Sequence, residues 1–346
     1  MRIPLIAIVL VLAAAGCGGS SSKSTTSSSS GGSSKVLVGA GSTFVYPLVS
    51  QWIGDYAKAA SVTVTYGAVG SGAGIAAITD GSVDFGASDA PLSPDQATAC
   101  KDCVEIPWAL GGTSVAYNLD GAPDHLNLTG PVLANIFLGR ITHWNDPAIT
   151  GLNPGRALPD TRITPVFRSD ASGTSYNFTD YLSRVSPEFK SKVGTSTQPT
   201  FPTGQGAKGS SGVSGVVSST DGAITYVDVA YATSANFAYA AMKNKAQKFT
   251  VPDVESCRAA ARDAKSPKPN AAISIVDPSA TAAGAYPICT FTYVIVRKQS
   301  SKAETLKAFL TYAITTGQEA GPKLLFAPLP PAVVAADKQA IAQITS

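Results

Sequence analysis

The sequence predicts an α/β protein with largely parallel sheets, divided into about two domains. Short strand-like apolar stretches recur along the chain, and segments with helical spacing of apolar residues stand between them. An N-terminal targeting segment and linker leave about 312 of the 346 residues to fold, more than one small core usually holds. A composition with 44% apolar and 14% charged residues excludes disordered, collagen-like and coiled-coil proteins.

Each predicted element depends on a local pattern. Residues 62–66 (VTVTY) alternate apolar and β-branched polar side chains as a strand does, and apolar residues from Val45 to Tyr56 recur at helical spacing. Ser93 followed by Pro94 is typical of a helix cap and first turn. The predicted strands cover residues 35–39, 62–66, 83–87, 162–167, 223–227 and 291–296, and the predicted helices lie near residues 45–56, 74–78, 93–96, 174–184 and 306–314.

The N-terminus has the features of an export signal. After Arg2, residues 3–15 form an apolar run that is too short to span a bilayer comfortably but suits a signal peptide. Small residues directly precede Cys17. This pattern resembles a bacterial lipoprotein signal and implies that Cys17 receives lipid after removal of residues 1–16. The alternative is an ordinary secretory signal followed by an incidental free cysteine.

Residues 17–34 predict a lipidated cysteine and a tether. Residues 18–34 are almost all Ser, Gly and Thr, which cannot bury a core. Such a linker spans roughly 20–25 Å on average. We therefore expect a folded domain that is anchored to the outer face of the cell membrane, or held in a periplasm. The net charge of +3 gives no electrostatic footprint for nucleic acid.

The remaining four cysteines form an even set, which suits an oxidising compartment. Four cysteines allow three pairings, and we favour the pairs that are nearest in sequence. A zinc site is the alternative, but a single C-x-x-C lacks the second half of a zinc motif. The predicted disulfides are Cys100–Cys103 and Cys257–Cys289.

Three predicted strand-to-helix turns are rich in small and hydroxyl residues. They are residues 39–44 (GAGSTF), 70–74 (GSGAG) and 168–175 (RSDASGTS). The first N–H groups of a helix have no partner within it, and glycine or serine lets an anion approach them. Arg168 adds a planar set of donors that suits an oxyanion. One such turn is typical of a simple cap, but three at strand ends predict an anion site.

Asp89 brings a negative charge to the end of a fourth predicted strand. An ionised carboxylate only accepts hydrogen bonds, so it repels an anion unless a proton lies between them. Hydrogen phosphate carries such a proton near neutral pH, whereas sulfate has none. Asp89 therefore predicts an anion that brings its own proton. The alternative is that Asp89 only caps the turn before Pro91.

Six motifs together resemble the periplasmic phosphate-binding proteins of ABC-type phosphate importers. They are GAGSTF, YGAVGSGAG, VDFGASDAPLS, RSDASGTSYNFTDYL, GQGAKGSSG and GAITYVDVAYA, in matching order and spacing from about residue 36 to about residue 335. The resemblance implies a type II periplasmic-binding-protein fold, whose two α/β lobes enclose a ligand cleft. It implies a binding protein without enzymatic activity, cofactor or metal. The expected function is high-affinity binding of inorganic phosphate outside the cytoplasm and its delivery to transmembrane permease subunits.

The resemblance also implies a set of site residues and two lobes. Eight residues would contact phosphate, and Asp170 would orient the arginine by a salt bridge. The expected contacts are Thr43, Phe44 through its backbone N–H, Ser71, Asp89, Arg168, Ser172, Gly173 and Thr174. The chain would cross near residues 111–117 and return near 289–296. The lobes would then be residues 35–115 plus 291–346, and residues 116–290. Residues 241–285 do not match the family well.

Other functions fit parts of the sequence. A serine hydrolase needs a histidine beside a nucleophile, but neither His125 nor His143 lies in such a motif, and no phosphatase cluster is evident. A kinase-like phosphate loop lacks its Gly-Lys-Ser/Thr signature. A surface adhesin or interaction lipoprotein fits the anchor but leaves Arg168 and the three turns unexplained. Binding of another tetrahedral oxyanion, sulfate or molybdate, stays open and is disfavoured by Asp89.

Overall fold

A computed structural model describes residues 36–262, 264 and 273–346 of the chain, in which strands and helices alternate. The predicted signal peptide and the tether with Cys17 lie outside the described residues. The strands are β1 (Val36–Gly41), β2 (Thr63–Ala68), β3 (Phe85–Ser88), β4 (Cys103–Asn118), β5 (Asn127–Leu128), β6 (Thr164–Arg168), β7 (Gln205–Ala207), β8 (Ala223–Asp228), β9 (Ala238–Tyr239), β10 (Ala241–Lys243), β11 (Phe249–Thr250) and β12 (Cys289–Arg297).

The α-helices follow the strands in chain order. They are α1 (Tyr46–Ala60), α2 (Ser71–Asp80), α3 (Pro94–Ala99), α4 (Gly130–Phe137), α5 (Pro147–Thr150), α6 (Gly173–Val185), α7 (Pro187–Lys192), α8 (Gly209–Ser218), α9 (Val229–Ser234), α10 (Val254–Ala261), α11 (Ala303–Ile314) and α12 (Pro331–Ala342). A 3-10 helix covers Thr316–Leu324. Every element predicted from the local patterns is present, with its ends shifted by a few residues.

One large sheet runs through the described residues in the order β2-β1-β3-β12-β4-β8-β6-β7, and β9 also pairs with β4. The sheet is mixed, which corrects the prediction of largely parallel sheets. β1 is parallel to β2 and β3, and β6 is parallel to β7 and β8. Between these groups, β12 is antiparallel to β3 and β4, and β4 is antiparallel to β8. A smaller sheet has the order β11-β10-β5.

The long strand β4 joins the two parallel groups. Its residues 103–112 pair with β12, and its residues 113–118 pair with β8. The chain therefore passes from the β1–β3 group to the β6–β8 group within a single 16-residue strand. Since parallel strands end at the same edge, the loops that follow β1, β2 and β3 lie together, as do those that follow β6, β7 and β8.

The packing of α1 shows how the core supports these loops. The buried face of α1 carries Leu48, Val49, Trp52 and Tyr56, as its apolar spacing predicts. The indole of Trp52 packs edge-on against Trp108 of β4 with ring centroids 5.3 Å apart. Its Nε1 also donates a hydrogen bond of 2.7 Å to the carbonyl of residue 317. These contacts hold α1 in place against β4 and the segment at residue 317.

Both predicted disulfides are confirmed. Cys100–Cys103 closes the turn between α3 and β4, and Cys257–Cys289 links α10 to the first residue of β12. The pairing consumes all four thiolates that a zinc site would have needed. Within the ranges that the structure describes, the helices all fall short of the length and apolar character needed to cross a membrane.

Candidate functional site

The turn between β1 and α1 places Thr43 and Phe44 inside the protein. Ser42 and Phe44 are fully buried, and Thr43 is 5% exposed. The Ser42 hydroxyl accepts hydrogen bonds from the backbone N–H groups of Phe44 (3.0 Å) and Val45 (3.4 Å). The hydroxyl therefore takes up two backbone donors in the turn just before α1, including the one that the sequence assigns to phosphate.

The turn between β2 and α2 places Ser71 at the first position of its helix. The Ser71 hydroxyl accepts hydrogen bonds from the N–H groups of Gly173 (3.1 Å) and Asp89 (3.3 Å). It also lies 3.5 Å from Oδ2 of Asp89, to which it donates. Ser71 thus connects the end of β3 to the start of α6.

Asp89 lies beyond β3 and is only 2% exposed. Its Oδ1 accepts a 2.5 Å hydrogen bond from the Ser42 hydroxyl. Burial raises the pKa of Asp89 from its ordinary value to about 6, although Ser42, the charge of Arg168 and Ser71 act in the opposite direction. At neutral pH the carboxylate is therefore mostly ionised and ready to accept a hydrogen bond.

Arg168 ends β6 and is 3% exposed. Its guanidinium forms a two-point ion pair with Asp170, in which Nε lies 2.7 Å from Oδ1 and Nη2 contacts Oδ2. Nη1 donates to the Thr43 hydroxyl at 3.0 Å. Burial acts to raise the pKa of Asp170, but the hydrogen bonds and charge of Arg168 outweigh it and hold this pKa below its usual value. Asp170 Oδ1 also accepts from the N–H of Gly209 at 3.0 Å.

The start of α6 carries the other predicted contacts, Ser172, Gly173 and Thr174. Ser172 is the cap of α6, and its hydroxyl accepts from the N–H of Ser175 at 3.2 Å. Thr174 is 1% exposed, and its hydroxyl finds no hydrogen-bond partner among the described residues. A Cβ at Gly173 would come within 2.7 Å of the Asp89 Cβ, so only glycine permits this close approach.

The structure brings all eight predicted contact residues to one place. Thr43 meets Arg168, and Ser71 meets both Asp89 and Gly173, so the loops after β1, β2 and β3 contact those after β6. A backbone hydrogen bond of 3.0 Å from Gly72 to Ala171 adds to this contact. We call the region where the loops after β1, β2 and β3 contact the loop after β6 the junction. It combines a guanidinium and three helix starts with the buried carboxylate of Asp89, a set of groups that suits a small oxyanion carrying a proton.

The sequence did not single out four further residues that the structure places at the junction. Ser42 and Ser210 lie within quoted motifs, and the Ser210 hydroxyl is 2.8 Å from that of Thr43. Asn177 donates to the carbonyl oxygen of Asp89 at 2.6 Å. Asp228 is 1% exposed, and burial followed by the neighbouring charge of Asp89 raises its pKa well above the usual value. Hydroxyl and amide residues close to a glycine turn were the available signal.

Two comparisons of sequence identify relatives. Residues 22–316 match the family model of the PBP superfamily domain. The phosphate-binding protein PstS of Xylella fastidiosa strain 9a5c is 43% identical over 300 residues, covering 86% of this chain and 82% of the relative. The protein of the same name in Haemophilus influenzae is 37% identical and covers 87% of this chain and 91% of the relative. Phosphate-binding protein PstS 2 of Mycobacterium tuberculosis is 36% identical, covering 86% and 84%.

Solved structures share the fold. A high-affinity periplasmic phosphate-binding protein bound with phosphate superposes with a TM-score of 0.73 at 22% identity, covering 88% of this chain and 93% of that one. A phosphate-binding protein from Stenotrophomonas maltophilia gives a TM-score of 0.68 at 21% identity, with the same coverage. At this level of identity the likeness establishes the architecture, which is the predicted type II periplasmic-binding-protein fold.

Proposed function

Since the chain belongs to the family of phosphate-binding proteins of ABC-type phosphate importers, we propose that it binds inorganic phosphate with high affinity outside the cytoplasm. It delivers the phosphate to the membrane permease of such an importer. The protein is a binding component and not an enzyme. The relatives that share its sequence along most of their length are likewise named as binding proteins.

The observation that carries this function is that a buried guanidinium, Arg168, and a buried carboxylate, Asp89, lie at the same junction. The positive charge of Arg168 is already balanced by Asp170, so the local charge does not by itself attract an anion. Selection then depends on directed hydrogen bonds, in which hydroxyls, helix N–H groups and the guanidinium donate to the anion. Within the proposed ligand set only Asp89 accepts, so the ligand must offer a proton, which hydrogen phosphate does near neutral pH.

The proposed ligand set is the one that the resemblance implies. Thr43, the N–H of Phe44, Ser71 and Asp89 bind from the β1–β3 side, while Arg168, Ser172, Gly173 and Thr174 bind from the other side, and Asp170 orients Arg168. The unpartnered buried hydroxyl of Thr174 supports its assignment. When phosphate arrives, the N–H of Phe44 exchanges its bond to Ser42 for one to a phosphate oxygen.

The two groups of strands form the proposed lobes, residues 35–115 plus 291–346 and residues 116–290. Support comes from β4, whose pairing changes from β12 to β8 between residues 112 and 113. Bending of β4 and β12 about this region would open the junction and admit phosphate. Closure would then exclude water and strengthen each hydrogen bond to the anion.

The attachment to the membrane is a separate part of the proposal. Cys17 carries the lipid, and residues 18–34 hold the folded part at the outer face of the membrane or in a periplasm. Replacement Cys17→Ser should release the protein from membranes and leave phosphate affinity unchanged. Fractionation that recovers the variant with membranes would contradict the lipid anchor.

Calorimetric titration of the phosphate-stripped protein tests the proposed function. We expect tight, saturable binding of phosphate with one site per chain, and no detectable heat with sulfate or molybdate at pH 8. Equal binding of the three anions would favour a general oxyanion-binding protein. Turnover of p-nitrophenyl phosphate would contradict a role restricted to binding.

A further inference from the structure

Asn177 on the first turns of α6 has a side chain that bonds its own helix, the chain at Asp89 and strand β12 at once. Its Nδ2 donates to the carbonyl oxygens of Asp89 (2.6 Å) and Gly173 (2.9 Å). Its Oδ1 accepts from the hydroxyl of Thr290 on β12 at 3.0 Å. The side chain is buried, with 5% of the residue exposed, so these bonds are shielded from water.

The bond to Asp89 is the one that spans the junction. Asp89 follows β3, whereas Asn177 belongs to the helix that follows β6, and the two residues are 88 positions apart. The carboxylate of Asp89 is held separately by Ser42 and Ser71. Asn177 instead holds the main chain of Asp89, beside the point where Gly173 approaches the Asp89 Cβ. The amide therefore fixes the distance between the carboxylate and the start of α6.

Asn177 and Asp89 also face a common space. A cavity of about 80 Å³ is lined by residues of β12, of α6 and of the chain around Asp89. Asp89, Asn177, Thr290 and Tyr293 are among its lining residues. The space beside Asp89 is therefore not filled by side chains, and the bonds of Asn177 lie along its wall.

We propose that Asn177 is a positioning residue that locks Asp89 against the start of α6 and thereby slows release of the bound anion. The inference rests on the proposed phosphate-binding function. Opening of the junction must break the bond from Asn177 to Asp89, since the two residues belong to opposite sides. The amide is outside the proposed set of phosphate contacts, so it stabilises the closed arrangement without adding to the first encounter. Its loss should therefore appear in the dissociation rate.

Replacement Asn177→Leu, which keeps the number and branching of the side-chain heavy atoms and removes all three bonds, tests the proposal. Phosphate labelled with ³²P is bound, the complex is diluted into excess unlabelled phosphate, and release is followed by rapid filtration. We expect release about 10 to 30 times faster than in the wild type, with an association rate within about twofold. Release within about twofold of the wild type, or a loss confined to association, would overturn the proposal.

Asn153 offers a matched control. It is 3% exposed, its Nδ2 donates to the carbonyls of Asn127 (3.0 Å) and Ile149 (2.9 Å), and its Oδ1 accepts from the N–H of Asn127. Asn153→Leu therefore removes a buried amide of equal bonding away from the junction. It should lower the melting temperature and leave phosphate release within about twofold of the wild type. Faster release in this control as well would assign the effect to general destabilisation and overturn the role of Asn177.

Thr290→Val is a second variant for the same release measurement, in case Asn177→Leu does not fold. It removes the donor to Oδ1 of Asn177 while preserving shape, and we expect release about threefold faster. Unchanged release in this variant would overturn the lock. A wild-type protein that fails to bind phosphate would overturn the proposed function itself. Wild-type binding with unaltered release in the variants would overturn only the role of Asn177.

Discussion

Replacement Asp89→Asn tests whether a buried carboxylate selects the anion by its proton. Asp89 is 2% exposed and Oδ1 already accepts from Ser42, so a bound anion meets the carboxylate without intervening solvent. Phosphate brings a proton and forms an O–H···O⁻ bond to Asp89. Sulfate has no proton at neutral pH and meets an unshielded like charge. The amide of asparagine removes this charge and offers a donor in its place.

The size of the effect follows from the charge and its burial. Two like unit charges about 4 Å apart repel by about 4 kcal/mol at an effective dielectric constant of 20. A difference of that size corresponds to about a thousandfold in affinity. We therefore expect the wild type to prefer phosphate over sulfate by at least about 10³ at pH 8, and Asp89→Asn to reduce this ratio by at least about a hundredfold.

The pKa of Asp89 also predicts how sulfate binding depends on pH. Burial raises this pKa to about 6, so the free wild-type protein takes up a proton at Asp89 as the pH falls through that value. The protonated carboxyl can donate, and sulfate binding by the wild type should therefore emerge below pH 6. The titratable and charged groups that face Asp89 and influence its titration are Arg168, Asp228 and the Tyr66 hydroxyl. In Asp89→Asn this pH dependence should be lost.

Competition titrations with phosphate, arsenate and sulfate at fixed ionic strength measure these ratios from pH 5 to pH 8. Arsenate, which carries a proton as phosphate does, is expected to compete in both proteins. The reasoning would be refuted by a wild type that binds sulfate as tightly as phosphate at pH 8. An unaltered phosphate-to-sulfate ratio in Asp89→Asn would refute it equally.

Three further predictions concern the same structure. Arg168→Ala should weaken phosphate binding, measured by calorimetry, by at least roughly a hundredfold, since it removes charge-assisted bonds and leaves Asp170 unpaired. An unchanged Kd would show that Arg168 does not contact phosphate. Ser42→Ala removes the hydrogen bond that most lowers the pKa of Asp89, so sulfate binding should begin at a higher pH than in the wild type, and an unshifted onset would contradict this. Replacing both Cys257 and Cys289 by serine should lower the free energy of unfolding, measured in urea, by about 3–4 kcal/mol, because their disulfide joins residues 32 positions apart. Equal denaturation midpoints in the two proteins would argue against a stabilising effect of this disulfide.

Local patterns predicted the elements of the fold because each depends on residues that are close in sequence. The buried stripe of α1 and the cap at Ser93 follow from spacings of three and four residues. The pairing of Cys100 with Cys103, three residues apart, is local in the same way, whereas Cys257 and Cys289 are 32 residues apart. Local patterns could not predict that β4 continues for 16 residues and runs antiparallel to both of its long neighbours. Strand direction in a sheet depends on partners far along the chain, which no local spacing records.

From the amino-acid sequence alone one can recognise the glycine and serine turns, Arg168 and the acidic residue at the end of β3. Those features indicated a protonated oxyanion because their chemistry does not depend on the detailed packing. The folded arrangement was needed to show that Thr43 meets Arg168 across 125 residues and that Asn177 holds the main chain of Asp89. The burial that raises the pKa of Asp89 also arises only when both groups of loops meet. Desolvation is a property of the assembled surroundings, so it becomes visible only once distant segments have packed together.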